Sequence, residues 1–147
     1  MAQSGYPNLP DTAFWRAWQG RFQGVLGWEA FDALLELLAG SDGDWFVWDM
    51  HARTPEMPGP LAPALDAVRA LNAPVRDRSW CGTLYVDDCA APGFVKAFDP
   101  YRMGATCGSS GERTFPRFVL SRLRPDPLPE AAPERAPGVL ARLTGRR

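Results

Sequence analysis

The sequence predicts an α+β domain with helices packed on a small, mostly antiparallel sheet, in the order α-α-β-α-β-β-β. Three observations carry the prediction. Phe31, Leu34, Leu35 and Leu38 recur at helical spacing, as do Leu61, Leu65, Val68 and Leu71. Two β-prone runs, Gly82–Val86 and Phe94–Asp99, flank a loop of Asp, Cys, Ala, Pro and Gly, which signals a hairpin with a long connection. A chain of 147 residues, 46% of them hydrophobic, is also long enough to bury a core without staples.

Residues 1–11 read as an extended leader, with Pro7 and Pro10 restricting the backbone. Asp11 or Thr12 caps a helix from Ala13, whose stripe is Phe14, Trp18, Phe22 and Val25. Gly20, Gly24 and Gly27 weaken it, each by roughly 1 kcal/mol relative to Ala, so a break is expected near Gly24–Gly27. A second helix runs from Trp28 to Leu38, and Gly40 ends it. Trp45–Met50 suits a buried strand, His51–Pro60 an irregular loop, and Leu61–Leu71 a third helix. The hairpin follows, then a long loop from Pro100 to Thr114.

Phe115–Leu123 fits either a strand or a helix opened by Pro116. A strand is preferred, because a stable sheet face needs three or more strands. From Pro125 the composition turns proline-rich. The domain is therefore drawn at residues 1–124, with 125–147 as a linker and short basic tail. No internal repeat is visible.

Net charge is −1, unevenly spread. Residues 1–112 hold eight Arg and Lys against fourteen Asp and Glu, whereas residues 113–147 hold eight Arg against three acids. An acidic body with a basic end suggests a self-docking tail or an acidic partner. No global field favours nucleic acid, and no apolar run reaches the roughly 18 residues of a membrane span. The first residues lack the basic and apolar regions of a signal peptide, and three Cys at unrelated spacings argue against a disulfide framework. A reduced, cytoplasmic protein is the expectation.

Where chemistry concentrates is limited. The octapeptide CGSSGERT, Cys107 to Thr114, resembles the cysteine-x5-arginine-[serine/threonine] signature of the cysteine-dependent phosphatases. The resemblance covers these eight residues and implies Cys107 as the thiolate nucleophile. Arg113 would hold phosphate oxygens by a bidentate fork. Asp87, Asp88 or Asp99 would then supply the general acid. The surroundings depart from that family. YRMGAT makes a poor preceding strand, no His stands before Cys107, and Glu112 puts negative charge inside the cradle.

His51, the only histidine, follows Asp49 by two residues, a spacing at which the acid can orient a general base. Cys107 is its available partner. Cys81, Cys89, Cys107 and His51 have the donor types of a zinc site but no pair at the short spacing such sites use, so no metal and no cofactor are expected. Asp87 and Asp88 are read as turn residues that bond their own backbone.

The functional expectation is a small non-enzymatic accessory or protein-interaction domain, binding a protein partner or a second copy. Two features supply the interface. Trp45 and Trp48, three apart in a strand, point to opposite faces, and Trp48 is the candidate surface aromatic. The tail offers Val139, Leu140 and Leu143 as apolar anchors, with Arg142, Arg146 and Arg147 as charges. The alternative is a phosphatase-like enzyme or anion-binding protein using the Cys107–Arg113 loop.

Overall fold

The computed structural model describes residues 9–102 and 115–128. Helix α1 (Ala13–Trp18), strand β1 (Gln23–Val25), helix α2 (Trp28–Ala39), strand β2 (Phe46–Asp49) and helix α3 (Leu61–Asn72) come first. Strands β3 (Leu84–Val86), β4 (Phe94–Ala97) and β5 (Phe118–Ser121) follow, with short 3₁₀ turns at Ala73–Val75 and Pro100–Arg102. The five strands form one sheet in the order β1-β3-β4-β5-β2, and every pairing is antiparallel. The expected α+β architecture is the observed one, with one strand more than the sequence predicts.

That extra strand corrects the first helix. Thr12 caps α1 by accepting the Trp15 amide at 3.2 Å, but the helix stops at Trp18. The chain then turns, and Phe22 packs edge-on against the Phe94 ring instead of extending the helical stripe. Gly24, which weakens a helix, suits the strand: a Cβ there would come within 3.3 Å of the Tyr85 ring. Tertiary packing has overridden a spacing that matched a helix.

The other elements sit where expected, shifted by one to three residues at their ends. Phe31, Leu34, Leu35 and Leu38 are the buried face of α2, and Gly40 caps it. In α3 the buried set is Ala64, Leu65, Val68 and Asn72, with Leu61 and Leu71 half-buried at its margins. Phe115–Leu123 resolves as a strand over Phe118–Ser121, paired with both β4 and β2.

Both faces of the sheet are covered. On one, Val25, Leu84, Val86, Val95, Ala97, Phe118 and Leu120 pack with α2 and α3. On the other, Phe94, Val119 and Trp48 meet Phe14, Trp15 and Trp18 of α1. Burial on two faces explains why FVKA and FVLS show no hydrophobic alternation. It also corrects the expectation of a surface aromatic in β2. Trp45 and Trp48 do point to opposite faces, but Trp48 is 3% exposed because α1 covers its side. The packed body also runs past residue 124: Pro125 is buried, Thr12 donates to Asp126 at 2.7 Å, and Leu128 packs beneath α1.

A small polar network crosses the α2–α3 side. Buried Asn72 donates to the Val68 carbonyl at 2.9 Å and accepts from the Thr83 hydroxyl at 2.7 Å, with the Cys81 sulfur 3.7 Å from that hydroxyl. It fastens the end of α3 to the approach of β3. Thr83→Val keeps the shape but strands the Asn72 amide oxygen without a donor, so we expect about 1–3 kcal/mol of destabilisation. A urea titration showing a lowered midpoint with an unchanged slope is the check.

Candidate functional site

Strand β1 lies at the end of the sheet order, so among the described residues nothing pairs with its outer side. Alongside it runs an apolar groove of about 290 Å³, lined by Gly24, Val25 and Leu26 from the strand region, Ala30, Ala33, Leu34 and Leu37 from α2, and Cys89. The sequence makes this depression in a simple way. Leu34 turns into the core, Ala30 and Ala33 carry almost no side chain, and Leu26 and Leu37 stand at the sides. Leu26 is 58% exposed and Leu37 47%, and together they extend the apolar lining to the surface.

An exposed aromatic, Trp80, stands in the segment bonded to Leu26. The Cys81 amide donates to the Leu26 carbonyl at 2.6 Å, and the Trp28 indole donates to the Arg78 carbonyl at 2.9 Å. These two bonds hold residues 78–81 against the end of β1 and the start of α2. Trp80 lies there 58% exposed, its ring folded over Gly82, where a Cβ would collide at 2.5 Å. Trp48, the surface aromatic expected from the sequence, is buried, and Trp80 is the exposed tryptophan among the described residues.

Electrostatics gives the groove a sign. Its lining carries no charged residue. Glu29 and Glu36 follow the alanine side of α2 around toward solvent, and neither joins an ion pair among the described residues. At the hairpin tip beside Cys89 are Asp87 and Asp88. Asp87 accepts the amides of Asp88, Gly93 and Phe94, and Asp88 those of Ala90 and Ala91. They bond their own turn, as read from the sequence, while adding negative charge at that end. Arg21, two residues before β1 and exposed, is the base nearest in sequence to the strand.

Sequence reasoning missed β1 because Phe22 and Val25 fall at helical spacing after Phe14 and Trp18. The readable signal was the triplet Gly20, Gly24 and Gly27, which a helix would not favour.

Two of the sequence-predicted site residues, Trp48 and His51, fall within the described residues. Cys107, Arg113, Leu140, Leu143 and Arg146 lie outside the described residues. His51 is exposed, and what Asp49 takes from it is the backbone amide, at 2.9 Å. The same Asp49 oxygen is bonded by the Arg117 guanidinium, so this carboxylate is already engaged. Cys81 is buried and Cys89 exposed. Among the described residues no three His, Cys, Asp or Glu side chains gather as metal ligands, and no helix is long and apolar enough to cross a membrane.

Lys96, the only lysine, holds the groove in place from the far face of the sheet. Its ammonium donates to the carbonyl of Trp18, the last residue of α1, at 2.8 Å. It sits 4.5 Å from the Trp18 ring centroid and 4.2 Å from that of Phe22. Trp18 closes α1 and Phe22 immediately precedes β1, so one side chain fixes the chain on both sides of the turn into the edge strand. A lysine suits a single carbonyl between two ring faces better than the wide fork of an arginine.

Comparison of the chain with protein-family models, with curated proteins and with solved structures finds no significant match.

Burial pushes the Lys96 amine down to about 8, against the pull of the carbonyl and the two rings, which favour its charged form. The folded state therefore binds fewer protons than the unfolded chain between about pH 8 and the ordinary lysine value of 10.5. Below that window the cost of burying the charge is borne in full; through it, stability rises with pH by an amount on the order of 3 kcal/mol. Lys96→Met should abolish this rise, read as the difference in urea midpoint between wild type and variant at pH 7.5 and about 10. Parallel pH profiles would refute the assignment.

Proposed function

We propose that this chain is a non-enzymatic protein-interaction domain that takes an extended segment of a protein along the open edge of β1. One observation supports it above the rest: an unpaired strand edge lies beside an apolar groove whose walls expose Leu26 and Leu37. Edge backbone groups give an incoming strand its register, and a hydrophobic slot beside them selects side chains; strand addition uses this pairing. Trp80, in the segment bonded to Leu26, adds a large, stiff aromatic surface, the residue type that dominates interface energetics.

The chemistry of the ligand follows from the walls. Apolar side chains fill the slot between Leu26 and Leu37, and basic groups answer Glu29, Glu36 and Asp88. Among the described residues Cys81 and Cys89 are free thiols, which suits a reducing, cytoplasmic setting.

Selection of random dodecapeptides on the full chain tests this. We expect enrichment of segments with apolar residues at alternate positions and at least one Arg or Lys. Binding of the enriched peptides should fall by about tenfold or more in Ala33→Glu. That position is exposed, so thermal stability should be unchanged. Peptides that bind wild type and Ala33→Glu equally would overturn the proposal, as would selection without enrichment.

A further inference from the structure

We infer that the groove beside β1 is occupied, in the same molecule, by residues 138–147 of the chain itself, GVLARLTGRR. This rests on reading the groove as a segment-binding site, and it names the occupant when no partner is present. The chain's own end matches the chemistry of the walls. It carries Arg142, Arg146 and Arg147 with no acidic residue, and Val139, Leu140 and Leu143 as apolar groups. The groove offers the complement: an uncharged slot of Ala30, Ala33 and Leu37 on α2, flanked by Glu29, Glu36 and Asp88.

A second copy in the groove is the competing occupant, and charge disfavours it. Pairing two β1 edges about a two-fold axis presents the same acidic helix face from both sides. Glu29, Glu36 and Asp88 of the two copies then flank one slot, and like charges set against each other disfavour that pairing.

Reach is sufficient. The Thr12 hydroxyl holds Asp126 at the start of α1. From Thr12 to Gln23 the chain covers six helical residues, about 9 Å, and five others spanning at most about 18 Å. Leu128 still packs on the body, and the ten residues from it to Gly138 extend to about 35 Å. The segment therefore arrives with length to spare, and the short tether keeps its effective concentration high.

Cys89 reports on the groove directly, being exposed and part of its lining. The test is the rate of Cys89 alkylation, read by peptide mass mapping, in the full chain and in the full-length double variant Leu140→Asp, Leu143→Asp. Both substitutions lie outside the described body. We expect the variant to react several-fold faster, added salt to speed the wild type toward the variant, and the difference to persist unchanged on dilution.

Equal rates would overturn the inference, and protection that fades on dilution would assign the segment of a neighbouring copy and overturn docking within the molecule. A dodecapeptide from the selection above separates the two levels. If it protects Cys89 equally in both chains, with no difference between them in its absence, the groove reading stands and the self-docking fails. If neither peptide nor tail alters Cys89, both fail. A peptide that protects the double variant at lower concentration than the wild type supports both.

Discussion

Strand β4 sits at the centre of the sheet, and covering both of its faces is the constraint on which the remaining structure depends. Val95 and Ala97 need the layer made by α2 and α3, whereas Phe94 and Lys96 need the aromatic layer of α1. Helix α1 is only six residues long, far too short to persist alone. It stays helical because Phe14, Trp15 and Trp18 bury themselves on the sheet and because Thr12 caps one end while Lys96 takes a carbonyl at the other. The hydrophobic contribution of three such side chains is several kcal/mol by area. A half-buried lysine ammonium is the cost of that arrangement.

The same constraint shapes the open edge. The turn after α1 brings Phe22 onto the ring of Phe94, and the next three residues have to run beside β3. Strand β1 is thus an appendage of the α1 layer, added to the sheet last in spatial order. Natural sheets commonly guard such edges with charge, proline or a covering element. Here the neighbouring wall is α2, whose alanines withdraw and leave a slot. The edge is short, which limits indiscriminate pairing. The aromatic layer on one side of the sheet thus sets the position of the open edge proposed above as a docking site.

Interactions at the periphery contribute less than their number suggests. Arg76 pairs with Asp32 through two bonds of 2.8 and 3.0 Å and lies over the Trp28 ring. The Asp32 carboxyl is held below its ordinary range chiefly by its hydrogen bond from Arg76. Exposed as it is, this pair mainly orients residues 76–81, the segment that holds Trp80, against α2; an isolated surface ion pair adds little to stability.

Periodicity in the sequence determined the type of almost every element. The α2 stripe of Phe31, Leu34, Leu35 and Leu38 and the hairpin around Asp87–Gly93 were legible because each carries a local pattern with a direct physical cause, whereas the final strand followed only from the number of strands a sheet needs. Asp87 and Asp88 were legible for the same reason, since a turn aspartate finds its partners within a few residues. What the sequence could not determine was what lies opposite each pattern. Phe22 and Val25 fit a helix as well as a strand, and only contact with Phe94 and β3 decided between them. Trp48 read as a surface residue because its strand had one visible partner face, and α1, distant in sequence, covered the other. The groove belongs wholly to the tertiary structure. Its lining comes from three separate segments, and none of them has a pattern of its own that marks a site.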